Sequence, residues 1–338
     1  MIRTLRFCFL FFLLWTSPSH STEAPVLKKI YITPGYWGEL FAVDNPRYNR
    51  DHCLEVLVRL RDVARDAGYD VLQANDLQNL EEFEYLIVFD IFLDQLKLLE
   101  RYPKEKKILF LWEPPSVAPD NYDLNNHRHF SKVMTWHDGL VDNQKYFKFY
   151  YPVMHPPIRE MLPFDSKRLC TLIACNKISN YPGELYSERN RLIQFYENSS
   201  SSDFLLFGKW WPLTLKTYRG PIKRKVDCLK HFRFCYAYEN ITGIPGYITE
   251  KIFDCFQTLT VPIYWGAPNI AEYIPKDCYL LREDFSSDDA LYSYLKNMDE
   301  ITYSQYQQNI RTYLQSENAK SYSQEHFIQL FMQLISTL

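Results

Sequence analysis

The chain lacks a strong excess of charge of either sign: 38 Lys and Arg against 41 Asp and Glu give a formal net charge of −3. A general nucleic-acid binder needs a basic surface to neutralise phosphates, and no nucleic-acid module is recognisable, so nucleic acid is excluded as a partner. The eight cysteines, Cys8, Cys53, Cys170, Cys175, Cys228, Cys235, Cys255 and Cys278, include no Cys-x-x-Cys pair. Most sit in apolar runs, as buried thiols do, which speaks against a zinc site and against a disulfide framework. No internal repeat is present, and the low-complexity patch Ser199–Ser202 reads as a surface loop. The apolar run Phe7–Trp15, preceded by Arg3 and Arg6, has nine residues. That is short of the roughly twenty that cross a bilayer. Residues 1–25 read as a signal peptide or a short membrane anchor, implying a membrane-associated or secretory-pathway protein, with attachment on the cytoplasmic side as the alternative.

What is present is enough to build a large core. The 338 residues are 46% hydrophobic and 17% aromatic, which suits one large domain or two ordinary ones. In the first half, strands are expected at Lys28–Thr33, Val71–Ala74, Tyr85–Asp90 and Lys107–Trp112, with a last one over Phe147–Val153. An amphipathic helix is expected over Asp51–Ala67, burying Leu54, Val56, Leu57, Leu60, Val63 and Ala64. The stretch from His155 to Lys167 begins His-Pro-Pro and has no periodicity, so it reads as a linker between domains spanning 26–155 and 166–338. In the second half, Leu169–Ala174 and Phe204–Phe207 read as strands and Ser187–Tyr196 as a helix capped by Ser187. Helices are expected over Asp288–Met298, Tyr303–Gln315 and Ser323–Ser336, the last with an apolar face able to return to the first domain. Alternating strands and helices on both sides of the linker give parallel α/β domains.

The most informative stretch runs from Phe232 to Gly266. Phe232–Tyr238 is a strand pattern, Asn240–Gly246 a Gly- and Pro-containing loop, Ile248–Phe256 a helical pattern with Thr249 as N-cap, and Val261–Gly266 a second strand. A strand, a loop and a helix N-terminus place free backbone N–H groups and the positive helix end together, an arrangement that holds anions. Glu250 and Lys251 fall in the first turn of that helix, diverging by about 100°. In the first half, the carboxylate of Glu113 follows an apolar strand and precedes two prolines that fix its direction; the plain alternative is a solvent-facing Glu before a turn. His127, His129 and His137 lie nearby without metal-ligand spacing. Lys216, Arg219, Lys223, Arg224, Lys225 and Lys230 form a basic stretch, either a solvated face or one that steers an anion, with Lys225 placed nearest the site.

The stretch resembles the donor-binding motif of glycosyltransferase family 10, the α-1,3/1,4-fucosyltransferase family. Tyr238-Glu239-Asn240, Tyr247-Ile248-Thr249-Glu250-Lys251 and Val261-Pro262-Ile263-Tyr264-Trp265-Gly266 match its pattern in order and spacing, and the likeness runs from about Leu169 to Asp284. The resemblance implies a GT-B-like fold, two Rossmann-like domains facing a cleft with C-terminal helices. It implies an inverting transfer of fucose from GDP-fucose to a hydroxyl of a glycan acceptor, in α-1,3 linkage. Arg189 (with Arg191 as alternative), Asn240, Tyr247, Glu250 and Lys251 would bind the donor. Glu113 would be the general base, in a Glu-Pro-Pro-Ser context that only partly matches the family's Glu-Ser-Pro. Glu239, His127 and His137 are next in line for that role. No acidic Asp-x-Asp motif occurs, so neither a metal nor a further cofactor is required to neutralise the leaving diphosphate. Animal members of the family often carry paired cysteines near the C-terminus; here only Cys278 lies late, which favours a microbial relative or a reducing compartment. Two other readings stay open: a transferase of the same architecture using another nucleotide sugar, and a non-catalytic glycan- or nucleotide-binding relative.

Overall fold

The structure, a computed structural model, describes residues 26–199 and 202–336. The signal or anchor reading at residues 1–25 lies outside the described residues. Among the described residues, no helix is long and apolar enough to cross a membrane.

Two separate parallel sheets carry the fold. The first contains β1 (Lys28–Ile32), β2 (Tyr69–Gln73), β3 (Tyr85–Phe89), β4 (Lys107–Leu111), β5 (Lys132–Thr135) and β6 (Tyr146–Lys148), in the order β2-β1-β3-β4-β5-β6. The second contains β7 (Arg168–Ile173), β8 (Phe204–Phe207), β9 (Phe232–Tyr238), β10 (Val261–Trp265) and β11 (Leu280–Leu281), in the order β11-β10-β9-β7-β8. All pairings within both sheets are parallel. β3 and β4 are buried at every position, which is why Tyr-Leu-Ile-Val-Phe and Lys-Ile-Leu-Phe-Leu read as near-continuous apolar runs.

Local structure departs from the sequence reading at a few points. α1 (Glu55–Asp66) starts later than expected, because Asp51 and His52 adopt left-handed backbone angles in the short turn before it. Val63 was expected in the core, but it turns outward and is 43% exposed. α2 (Leu93–Leu99) and β5 lacked a periodic signal; β5 is only four residues long. The expected strand over Phe147–Val153 shrinks to β6, after which the chain is irregular up to the second sheet, apart from a 3₁₀ turn at Phe164–Ser166. α3 (Tyr186–Asn198) is capped not by Ser187 but by the Glu184 carboxylate, which accepts from the Tyr186 and Ser187 amides at 2.6 and 3.1 Å.

The remaining helices are α4 (Lys225–Leu229), α5 (Glu250–Gln257), α6 (Asp288–Asn297), α7 (Glu300–Leu314), α8 (Glu317–Lys320) and α9 (Gln324–Ser336). α9 lies against the first domain, not the second. Its Phe327, Ile328, Phe331, Leu334 and Ile335 join the core formed by β1, β3, β4 and α1. Ile241 and Tyr247, from the loop between β9 and α5, enter that same core. The ring of Tyr247 packs 4.5 Å from Trp136. Across the same boundary Asp138 accepts from Tyr273 Oη at 2.7 Å and Asn269 Nδ2 at 2.9 Å, and Lys148 Nζ approaches Tyr273 Oη at 3.3 Å. The loops after β4 and after β9 meet as well, with Ser116 Oγ donating to the Asn240 carbonyl at 3.5 Å. The carboxyl ends of both sheets therefore face one cleft, which is where open α/β sheets bind ligands.

Candidate active site at the cleft

The loop and helix after β9 build the second domain's side of the cleft. Asn240–Gly246 carries the chain from the end of β9, the central strand of its sheet, into the first domain, and α5 follows. At the α5 N-terminus, where a free anion site was expected, this chain's own carboxylate already takes the amide of the cap residue. Glu239, with no exposed surface, accepts from the Thr249 amide at 2.8 Å and the Thr249 hydroxyl at 2.7 Å. Thr249 is thus at the cap position but does not cap with its side chain; its hydroxyl is spent on Glu239. This also removes Glu239 from the line of alternative bases, since both of its oxygens are held inside the domain.

Lys251 Nζ lies 3.1 Å from Glu239 Oε2 and 3.4 Å from Glu250 Oε1. The expected divergence of Glu250 and Lys251 around the helix does not keep them apart, because the flexible Lys251 side chain curls back. Burial works against the Lys251 charge, but Glu239 and Glu250 overcome it and raise its pKa. Lys225 Nζ sits 2.6 Å from Asp254 Oδ2 and 3.6 Å from Glu250 Oε1. Burial likewise opposes its charge, and Asp254 and Glu250 more than offset that. Asp254, partly buried beside them, is pushed up to about 6 by desolvation. Glu250 is held well below the usual carboxylate range: burial pushes it up, and Lys251 and Lys225 outweigh that.

Arg189 projects from α3 into the same cluster and is only 4% exposed. One of its guanidinium nitrogens, Nη2, donates to the Tyr238 and Glu239 carbonyls, each at 2.7 Å, and to Asn240 Oδ1 at 3.2 Å. Its Nε is buried without a partner. Arg191, the alternative, pairs with Glu188 on the surface and is 57% exposed at the side chain. Arg189, Lys225, Glu250, Lys251 and Asp254 line one small cavity of ≈ 50 Å³. Asn240 enters the cluster only through its bond to Arg189. Tyr247 does not line the cavity: its ring is 2% exposed and wedged between Trp136 and Tyr151, because the loop delivers it to the opposite domain. The rest of the basic stretch lies elsewhere. Lys223 and Arg224 line a separate groove of ≈ 380 Å³ with Arg168, Phe207 and His231, and Arg219 Nη1 bonds the nearby Lys216 and Tyr218 carbonyls.

Glu113 supplies the first domain's side. Its backbone is pinned, with the N–H donating to Asp90 Oδ1 at 2.9 Å and the carbonyl accepting from Tyr122 Oη at 3.0 Å. Among the described residues its carboxylate has no ion-pair or hydrogen-bond partner. Burial first, then the Asp90 charge, push its pKa up to about 7, while Lys177 and Lys251 pull the other way. A carboxylate poised there is ionised in part at neutral pH and basic enough to take a proton. Of the histidines next in line, His127 is held in the interior and His137 is half-buried. His127 is fully buried, with Nε2 2.7 Å from the Asn121 carbonyl, and His137 Nδ1 accepts from the Gly139 amide at 3.1 Å.

Sequence reasoning missed Asp90, Asn121, Lys177 and Asp254. Asp90 ends an apolar strand just as Glu113 follows one, so the same positional signal applied to β3 would have found it. Among the described residues, no three His, Cys, Asp or Glu side chains converge as a metal site, and the described cysteines are all free thiols.

The comparisons with known proteins agree with this geometry. The family described as "Glycosyltransferase family 10 (fucosyltransferase) C-term" matches residues 169–336. The alpha-(1,3)-fucosyltransferase FucT of Helicobacter pylori is 36% identical over 75 residues, 22% of this chain and 16% of that protein. The alpha-(1,4)-fucosyltransferase of Arabidopsis thaliana is 35% identical over 80 residues, 23% of this chain and 20% of that protein, so the matches span a fifth or less of these relatives. The GDP-fucose protein O-fucosyltransferase 3 of Homo sapiens is 26% identical over 210 residues, 59% of this chain and 40% of that protein. A crystal structure of an alpha1,3-fucosyltransferase superposes with a TM-score of 0.56 at 14% identity, covering 93% of this chain and 91% of the other. An alpha-glucosyltransferase in complex with UDP and DNA superposes at 0.53 and 10% identity, covering 91% and 99%. Likeness at this identity shows the fold, which is GT-B. The family match over residues 169–336, carried by the motifs that build the cluster around Lys251, places the chain in glycosyltransferase family 10, the fucosyltransferase family.

Proposed function

We propose that the protein is an inverting fucosyltransferase that moves fucose from GDP-fucose to a glycan hydroxyl, in α-1,3 linkage. The observation that carries this reading is the pairing across one cleft of Glu113, a carboxylate without a partner among the described residues, with the buried Arg189 and the half-buried Lys225 and Lys251. An alpha1,3-fucosyltransferase of this fold has been crystallised with GDP and with GDP-fucose, which supports that donor.

The chemistry needs three things, and the cleft has a residue for each. As the acceptor oxygen attacks C1 of fucose, the C1–O bond to the β-phosphate breaks and GDP departs with the electron pair. Negative charge grows on the diphosphate, where fixed cations count most. Lys251, 21% exposed at the side chain, and Arg189, which lines the same cavity, take it up. Glu250 keeps 43% of its side chain exposed and faces hydroxyls of the ribose or the sugar. Glu113 takes the acceptor proton, so that attack and deprotonation occur on the face opposite the leaving group. The ≈ 50 Å³ cavity is smaller than the roughly 300 Å³ or more of ligand pockets. Donor entry therefore moves the Lys251 and Lys225 side chains off their carboxylates or parts the domains.

A protein hydroxyl as acceptor is a second reading, favoured by the longer match to the protein O-fucosyltransferase, over 210 residues. The leader pattern at residues 1–25 supports a membrane-associated or exported enzyme. The test is a matrix of GDP-fucose, GDP-mannose and UDP-glucose against oligosaccharide and peptide acceptors, with the product linkage read by NMR. Transfer from GDP-fucose to an oligosaccharide in α-1,3 linkage is the expected result. Transfer only from another donor, or none with any, contradicts it.

A further inference from the structure

We propose that Asp90 is the positioning residue for Glu113, clamping the turn that carries Glu113 out of the sheet and setting the direction of its carboxylate. This inference rests on the transferase reading above. Asp90 follows β3 and is 2% exposed. Its backbone is left-handed, φ 60, a conformation that costs an ordinary residue and is tolerated best by Asn and Asp. From that position Oδ1 accepts from the Trp112 amide at 2.8 Å, the Glu113 amide at 2.9 Å and Asn121 Nδ2 at 2.6 Å. Asn121, fully buried, passes the constraint on. Its Oδ1 accepts from the Ile91 amide at 2.6 Å, and its Nδ2 also reaches the Glu113 carbonyl at 3.3 Å. The amide before and the carbonyl after the Glu113 side chain are thus both held from beneath, by groups that make no other approach to the cleft.

The second consequence is electrostatic. A buried carboxylate under Glu113 disfavours a second negative charge beside it, and burial pushes Asp90 itself up to about 6. The other charged groups facing Glu113 are Lys177, from the loop after β7, and Lys251 and Glu250 from α5. The phenols around it, Tyr36, Tyr122, Tyr151, Tyr186 and Tyr247, are all raised by burial and stay neutral through the working range. Of the two carboxylates that raise Glu113, Asp90 does so more than Glu250, so its removal makes Glu113 more acidic.

Asn at position 90 keeps an oxygen for the three donors and tolerates the left-handed backbone, so Asp90→Asn isolates the charge, whereas Asp90→Ala removes the clamp. The experiment measures kcat against pH for the wild type, both variants and Glu113→Gln, with GDP affinity by calorimetry and melting temperature alongside. Asp90→Asn should move the acid limb of kcat down by about one pH unit, with GDP affinity unchanged. Asp90→Ala should lose roughly tenfold to a hundredfold in kcat, which Asn largely restores. An acid limb that stays in place in Asp90→Asn, or near-normal kcat in Asp90→Ala, overturns the proposal while Glu113→Gln remains inactive. Near-normal kcat in Glu113→Gln overturns the base assignment and this proposal with it.

Discussion

The ammonium group of Lys251 lies 3.1 Å from the carboxylate of Glu239, a side chain with no exposed surface. Lys251 thus compensates a buried charge, and under the proposed function it also offers its own charge to the donor diphosphate. Lys251→Ala strands Glu239 in the interior and should destabilise the fold by roughly 3–5 kcal/mol. Glu239→Gln in the same chain removes the stranded charge and should recover most of that loss. GDP affinity, by calorimetry, should stay weaker by roughly 1.5–3 kcal/mol in both the single and the double variant. Wild-type affinity in the double variant would take Lys251 out of the diphosphate site.

Gly246 fixes how closely the domains approach. Its φ is +83, and a methyl group there would lie 2.4 Å from the Trp136 carbonyl oxygen and 2.7 Å from Asp138 Oδ1. Its amide also donates to Asn269 Oδ1 at 2.9 Å. Gly246→Ala should therefore disrupt the interface as well as strain the loop, costing roughly 2 kcal/mol or more in denaturant unfolding. The same variant should be cut faster by protease in the irregular segment between β6 and β7. Unchanged stability and proteolysis would show that the interface yields easily at this point.

α9 is predicted to be part of the first domain's folding unit although it is last in sequence. Phe331 is 1% exposed and its ring stacks 6.3 Å from Phe110 of β4. Phe331→Ala should cost about 3–5 kcal/mol, the usual loss for emptying an aromatic site in a core. Hydrogen exchange should then speed up in β1, β3 and β4 more than in β7 and β9. Faster exchange confined to the second sheet would contradict that assignment.

Glu113 carries a cost that pH should expose. Its pKa in the fold, about 7, lies above the ordinary carboxylate value. The folded protein therefore holds this proton more tightly than the unfolded chain between about pH 4.5 and 7. Stability from this group is fully present below that window and is lost as pH rises through it. Glu113→Gln has no proton to lose, so it should melt above the wild type at pH 8 and the gap should close toward pH 5. A gap independent of pH would mean that Glu113 is not desolvated in solution.

How much of this was legible in the sequence depended on whether the cause was local. The strand, loop, helix and strand from Phe232 to Trp265 could be read because apolar period and Gly/Pro punctuation act over a few residues. So could the apolar face of α9, though the sequence left open which domain covers it and the structure places it on the first. Tyr247 was different: its motif position places it beside the donor loop, but only the approach of Trp136 from the other domain decides that its ring is buried in the interface. The capture of the Thr249 amide by Glu239 was hidden for the same reason, since a residue just before a loop can fold back on the helix that follows. β5, half polar at its start and four residues long, had too few positions for a period to register. Asp90 was read as the end of a strand; its hold on the Glu113 amide depends on the neighbour order β3-β4, which sequence alone does not state.

The central claim is that Glu113 removes the acceptor proton while the cluster around Arg189 and Lys251 holds the donor. The most direct measurement is kcat, acceptor KM and GDP affinity of Glu113→Gln, which keeps the shape of the side chain and loses its basicity. The account predicts GDP affinity at the wild-type level with kcat down by about 10²–10⁴, the usual share of general base catalysis. A kcat near wild type, with only the acceptor KM raised, would contradict it and leave Glu113 as a hydrogen-bonding contact to the acceptor.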